Sequence, residues 1–133
     1  MKIEGGCYCG EIRYVSGGDA QASVQCHCRE CQYITGGHPN VLMIMPLDHF
    51  EFVSGKPQEF KRSDLKNAVT RLFCGKCGTA IGTRSPMRPN SIILKVGTFD
   101  NPDIFKPEIA IFTSDKQKFH YIDDNVKSFD KRP

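Results

Sequence analysis

A chain of 133 residues and 14.9 kDa is one domain by size, covering residues 1–133. Charged residues at 25% and apolar residues at 39% exclude a disordered chain. Eighteen Lys and Arg against fifteen Asp and Glu leave +3, and the basic residues are scattered, so no nucleic-acid partner is expected.

In chain order, Glu11 to Val15 alternates polar and apolar residues and predicts a strand. Arg29 to Thr35 predicts one short helix, stopped by Gly36 and Gly37. Asn40 to Met45 is a continuous apolar run between Pro39 and Pro46, as in a strand buried on both faces. Phe50 to Val53 precedes a turn cluster, Ser54-Gly55-Lys56-Pro57. Glu59 to Arg62, Val69 to Phe73, Ile92 to Val96 and Ile109 to Thr113 complete the expected strands. Short strands cut by 12 Gly and 8 Pro, with no alternating long helices, predict a mostly β, antiparallel domain and argue against a parallel α/β sheet. Trp is absent and Phe fills much of the core, so metal crosslinks would support a small, loop-rich fold.

The longest apolar run, Val41 to Met45, is far too short to cross a membrane. Residues Met1 to Gly6 carry no apolar signal segment, so the expected compartment is the cytoplasm, where thiols stay reduced. Seven cysteines in such a chain, an odd number, point to metal or redox chemistry rather than to a disulfide framework.

The cysteines fall into three groups with none outside: Cys7-Tyr8-Cys9, Cys26-His27-Cys28-Arg29-Glu30-Cys31, and Cys74-Gly75-Lys76-Cys77-Gly78. Zinc takes four ligands in a tetrahedron, with Zn–S of about 2.3 Å and neighbouring sulfurs roughly 3.8 Å apart. A CxxC turn brings both sulfurs to one ion, and Gly78 suits that turn because glycine tolerates positive φ. In CxC the two side chains leave the same face of an extended segment. Two chelating pairs, Cys7/Cys9 and Cys74/Cys77, make four thiolates and a closed structural site. Cys26, Cys28 and Cys31 then leave three thiolates and an open position, the pattern of a catalytic metal. A second allocation, Cys26/Cys28 with Cys74/Cys77, strands Cys7, Cys9 and Cys31. A dithiol redox pair and a nucleic-acid-binding zinc ribbon are further readings of CxxC. The first lacks its βαβ setting, and the second leaves the triplet unexplained.

The runs Cys7 to Tyr14, Cys26 to Cys31 and Phe73 to Thr79, in this order and spacing, resemble the glutathione-dependent formaldehyde-activating enzyme family, which also includes centromere protein V. The resemblance covers essentially the whole chain. It implies a single-domain antiparallel β-sandwich of twisted sheets, related to methionine sulfoxide reductase B. It also implies a structural zinc on Cys7, Cys9, Cys74 and Cys77, and a catalytic zinc on Cys26, Cys28 and Cys31. Two zinc ions per chain are expected, the second held more loosely.

The founding activity of the family is condensation of formaldehyde with glutathione to S-hydroxymethylglutathione, a carbon–sulfur lyase reaction. The expected function is therefore a lyase acting on a thiol–aldehyde adduct, with a small thiol such as glutathione as partner. The alternative is a non-catalytic zinc-binding protein-interaction module. Sulfoxide reduction needs a free nucleophilic cysteine, and this allocation leaves none.

Of the remaining residues, His27 lies between two ligands and should point away from the metal, packing or bonding behind it. His38, on a Gly-Pro loop after the triplet, is the one candidate base. His49 and His120 have no evident partner. Arg71, Arg84 and Arg88 flank the CxxCG segment and are candidate carboxylate binders, or a solvated strand face. Tyr14 and Tyr33 are expected to pack in the core or on the surface, with pocket lining as the other reading, and Met43 and Met45 to pack in the core.

Overall fold

The Gly- and Pro-punctuated segments form eleven strands and one helix in the computed structural model, which describes residues 1–133. The strands are β1 (Lys2–Gly6), β2 (Arg13–Gly17), β3 (Ala22–Cys26), β4 (Asn40–Pro46), β5 (Phe50–Ser54), β6 (Gln58–Phe60), β7 (Thr70–Phe73), β8 (Ala80–Ser85), β9 (Arg88–Lys95), β10 (Ile109–Ile111) and β11 (Lys127–Ser128). The helix, α1, spans Arg29–Thr35 as expected, and Gly36 ends it in the left-handed region at φ 84°. No helix is long and apolar enough to cross a membrane.

Two sheets result. The smaller has the order β1-β2-β5, the larger β11-β10-β3-β4-β9-β8-β7-β6. Pairing is antiparallel except around β10, which runs parallel to both β3 and β11. A hairpin cannot make a parallel pair. β10 reaches β3 only after the chain has crossed the molecule through residues 96–108, with short 3-10 turns at Val96–Thr98 and Pro102–Ile104.

Several strands differ from the sequence expectation. The segment expected from Glu11 begins at Arg13, because Cys7 to Ile12 closes into a turn with the Cys7 amide donating to the Ile12 carbonyl at 3.0 Å. β1, β3, β8 and β11 were not expected. Each carries Gly, Ser, Gln or charged residues that weaken local strand preference. Each exists through its neighbours: β1 on β2, β3 on β4, β8 between β7 and β9, and β11 on β10.

β4 explains its own apolar run. Met43 and Met45 face the small sheet and join Ile3, Ile12, Tyr14, Leu72, Ile81, Ile92 and Leu94 in the main core. The intervening Leu42 and Ile44 face the other way and pack with Val24, Cys26 and Cys31 in a second cluster beneath α1. The large sheet is thus covered on both faces at its centre. Tyr14 is buried in the main core and bonds its hydroxyl to that of Thr98 at 2.7 Å.

Met45 is 0% exposed at the centre of this core. Met45→Ala should cost about 2–5 kcal/mol. Val53→Ala, at a side chain 54% exposed, should change stability by about 0.5 kcal/mol or less. Urea melts of the two variants check this, and equal losses would contradict the assigned core.

Candidate functional site

Two hairpins carry the first cysteine group. Cys7 and Cys9 lie in the loop between β1 and β2, in the small sheet, and Cys74 and Cys77 in the loop between β7 and β8, in the large sheet. Both loops close in the same way. The Cys7 amide donates to Ile12 at 3.0 Å and the Cys74 amide to Thr79 at 2.9 Å. The Gly10 amide donates to Cys7 at 3.1 Å and the Gly78 amide to Cys74 at 2.8 Å. Gly78 takes φ +79°, which the CxxCG turn requires of it.

The four sulfurs converge, all within 4.8 Å of one another. Cys7 Sγ lies 3.6 Å from Cys9 Sγ, which lies 3.8 Å from Cys74 Sγ. These separations fit the edges of a tetrahedral zinc–thiolate site. Backbone amides point at the sulfurs as they would at thiolates: Ile12 donates to Cys7 Sγ at 3.3 Å, and Lys76 and Cys77 donate to Cys74 Sγ at 3.4 Å. The Thr79 hydroxyl, 3.1 Å from Cys77 Sγ, and the Thr79 backbone hold the Cys77 thiol down to about 5. The same hydroxyl oxygen accepts from the Tyr8 amide at 3.1 Å, so Thr79 ties the two loops together.

The second group sits on the opposite face of the large sheet. Cys26 ends β3, Cys28 caps α1, and Cys31 lies in its first turn, with all three sulfurs within 4.8 Å of one another. Cys28 Sγ accepts the Cys31 amide at 3.3 Å. Hydrogen bonds from Cys26 and Cys31 hold the Cys28 thiol well below its ordinary value, and Arg71 adds to this through its charge. The three sulfurs donate, in chemical terms, a soft, anionic, three-point ligand set that fits zinc and leaves one tetrahedral position to another group. The rival pairing of Cys26/Cys28 with Cys74/Cys77 is excluded, since those residues belong to separate clusters.

Strand alternation sets what surrounds the triplet. Cys26 pairs with Asn40, Val24 with Leu42, and Leu42 with Lys95, so their side chains share one face. Arg71 pairs with Thr83, Thr83 with Ile93, and Ile93 with Ile44, on that same face. Lys95 and Arg71 therefore stand on the triplet's side of the sheet. A cavity of about 390 Å³ opens there, lined by Tyr33 and Ile34 of α1, Phe60 of β6, Arg71 and Phe73 of β7, Thr83 of β8 and Lys95 of β9. Burial pulls Lys95 down to about 8 against the attraction of the triplet thiols, and Lys95 Nζ donates to Asn40 Oδ1 at 2.8 Å.

The expectations for single residues divide. Of the three arginines, Arg71 lines the cavity, while Arg84 and Arg88 are exposed on the distant β8–β9 hairpin. Tyr14 packs, but Tyr33 is 78% exposed on the cavity rim, stacked under the Arg29 guanidinium at 5.1 Å. His38 is exposed, its ring set against Phe119 at 5.8 Å and His120 at 6.2 Å rather than against a sulfur. Lys95 and Phe60 carried no motif and were missed. A lone lysine ending the apolar run Ile92-Ile93-Leu94 was the available signal for the first.

His27 points away from the triplet, as alternation requires, and is fully buried. Its partner is His120, which the sequence left without one, with Nδ1 to Nδ1 at 2.9 Å. The network fixes both tautomers. His120 Nε2–H donates to the Gly37 carbonyl at 2.7 Å, so His120 Nδ1 is the acceptor, and it also receives the Gln117 amide at 3.2 Å. His27 Nδ1–H must then donate to it, and His27 Nε2 accepts from Gln25 Nε2 at 3.0 Å. Gln32, buried in α1, adds Nε2 bonds to the His27 carbonyl at 2.9 Å and the Asp115 carbonyl at 3.0 Å. Together these bonds clamp α1 and its C-terminal loop to β3 and to residues 115–120.

Burial depresses His27 from 6.5 to about 4. The unfolded chain therefore binds more protons between these values. Stability contributed by the neutral ring is fully present above about 6.5 and is lost as pH falls toward about 4, on the order of 3 kcal/mol. Long-range 15N–1H NMR at pH 7 should show an Nδ1–H tautomer for His27 and an Nε2–H tautomer for His120. A His27 ring that charges near pH 6.5 would contradict the buried pair.

Residues 2–115 match the family described as glutathione-dependent formaldehyde-activating enzyme. No curated protein is similar enough to count as a relative. Among solved structures, the crystal structure of a Rhodobacter sphaeroides protein, a Northeast Structural Genomics target, is similar at TM-score 0.62 and 18% identity, covering 80% of this chain and 97% of that one. That likeness is one of fold. With the family match spanning most of the sequence and all seven cysteines, the chain belongs to the glutathione-dependent formaldehyde-activating enzyme family.

Proposed function

We propose that the chain is a zinc-dependent carbon–sulfur lyase acting on a thiol–aldehyde adduct, as in the synthesis of S-hydroxymethylglutathione. Cys7, Cys9, Cys74 and Cys77 would hold a structural zinc, and Cys26, Cys28 and Cys31 a catalytic one. The observation that carries this reading is a three-sulfur cluster on the sheet face where Arg71 and Lys95, which act on its thiols through their charge, line a cavity. A purely structural site has no use for a missing fourth ligand next to a space large enough for a small molecule. The same observation favours an enzyme over an interaction module.

A zinc ion on three thiolates supplies a fourth position for a substrate sulfur and Lewis acidity toward an aldehyde oxygen. The reaction itself is an addition without redox change. The thiol sulfur bonds to the aldehyde carbon, the carbonyl π bond opens, and the thiol proton ends on the oxygen. The chain's part is to orient and shield. Tyr33, Ile34 and Phe60 wall the cavity with apolar surface. Arg71 and Lys95 offer positive charge where a thiol would lose its proton. The backbone amide on Cys28 Sγ stabilises that ligand as thiolate.

The two sites should respond differently to loss of a ligand. Cys9 and Cys74 lie 65 residues apart, whereas Cys26 to Cys31 spans five. Loop-closure entropy alone makes the long link worth about 2 kcal/mol more, before the folding free energy of the zinc itself. Cys74→Ser should abolish soluble, folded protein. Cys28→Ser should leave a folded domain with one zinc in place of two, and no condensation of formaldehyde with small thiols. Zinc content, thermal melts and NMR of adduct formation check this. Equal destabilisation by both substitutions would make the triplet structural and remove the basis for catalysis.

A further inference from the structure

The cavity carries positive charge that the triplet balances only in part, since three thiolates on a divalent ion leave about −1 against two cations. Its lining includes Arg71 and Lys95 and no Asp or Glu. The Arg71 side chain is only 17% exposed, and its one acidic neighbour, Glu30, stands 3.7 Å away and already pairs with Arg62 at 3.3 Å. Lys95 Nζ has three protons, of which Asn40 Oδ1 takes one. Burial weakens the Lys95 ammonium, and the charge of Arg71 weakens it further. Two cations lining one largely apolar recess, with donors to spare and a single net negative charge on the zinc-loaded triplet to face them, favour a further anion between them.

We infer that Arg71 and Lys95 form a carboxylate subsite, and that the thiol substrate is a compact mercaptocarboxylate with no ammonium on the part that enters the cavity. This rests on the lyase reading above. The sulfur would reach the Cys26/Cys28/Cys31 cluster while the carboxylate lies between the two cations, and the apolar carbons lie against Tyr33, Ile34 and Phe60. Arginine presents a planar fork suited to a carboxylate, and lysine adds a point charge. An ammonium in the same space adds a third positive charge against the single negative one of the triplet. A substrate carrying one, such as the γ-glutamyl end of glutathione, must leave that end outside, where the neighbouring groove offers Glu30.

The test is isothermal titration of zinc-loaded protein at pH 7 with three thiols of similar size: 3-mercaptopropionate, 2-mercaptoethanol and cysteamine. The expected order is mercaptopropionate about tenfold tighter than mercaptoethanol, with cysteamine weakest. Thiol acidity alone gives another order, because the ammonium of cysteamine makes its thiol the most acidic of the three. Arg71→Met and Lys95→Met should each lower mercaptopropionate affinity about tenfold and mercaptoethanol affinity much less. Equal affinity for the three thiols, or cysteamine binding tightest, overturns the subsite, and this comparison uses the unmodified chain alone. Failure of all three to bind overturns the lyase reading, and the subsite with it.

Discussion

Successive residues of a strand point to opposite faces of a sheet, and in this chain that alternation separates two metal-binding chemistries. The large sheet is buried on both sides of β4. Met43 and Met45 belong to one core, Leu42 and Ile44 to the other. Cys7 and Cys74 are buried in the first, Cys26 and Cys31 in the second. A one-residue slip of β3 against β4 would turn Cys26 into the main core and His27 toward the triplet, destroying both environments together. Register is therefore the quantity this fold must hold most firmly. The polar clamp of His27, His120, Gln25 and Gln32 works to that end, since its bonds can be satisfied in one alignment only.

The four-sulfur cluster acts on a different scale. It joins a hairpin loop of the small sheet to a hairpin loop of the large one, at one end of the sandwich. The small sheet has only three short strands, the fewest that hold together without outside support, and β1 is unremarkable in local preference. Packing of Ile3, Ile12 and Tyr14 holds its face, and the cluster holds its end. The bidentate Arg13–Asp100 pair, at 2.9 and 2.5 Å, is exposed and contributes little beside these.

What was legible in the sequence was what is local. CxxCG announces its own turn, Arg29 to Gly36 its own helix and stop, and the run Asn40 to Met45 its burial on two faces, because each signal lies within one short segment. The division of seven cysteines into four and three followed from ligand counting, since zinc chemistry restricts the combinations. The rest depended on contacts across the chain. Lys95 becomes part of a site only because β9 pairs with β8, and β8 with β7, placing it on one cavity with residues of β6, β7 and β8. His120 matters only because residues 115–120 return to β3, 93 residues after His27. Arg71 was separable from Arg84 and Arg88 only by its register on β7. No periodicity reports such pairings. β1, β3, β8 and β11 were missed for the same reason, because each is a strand by partnership rather than by propensity.

Charge balance connects the triplet to the cavity. Three thiolates on a divalent ion leave a net charge of about −1, and a fourth sulfur anion would make it about −2. In a partly buried setting that added charge is expensive unless cations stand near. Lys95 and Arg71 both lie within electrostatic reach of the triplet, as the mutual effects of Arg71 on Cys28 and of the three thiols on Lys95 show. A ligand set of three thiolates also makes a weaker Lewis acid than three imidazoles would, which disfavours activation of water and favours exchange of thiols. The two facts reinforce each other. An electron-rich metal position needs nearby positive charge to accept another sulfur, and this sheet face supplies it from two strands that the triplet itself does not occupy.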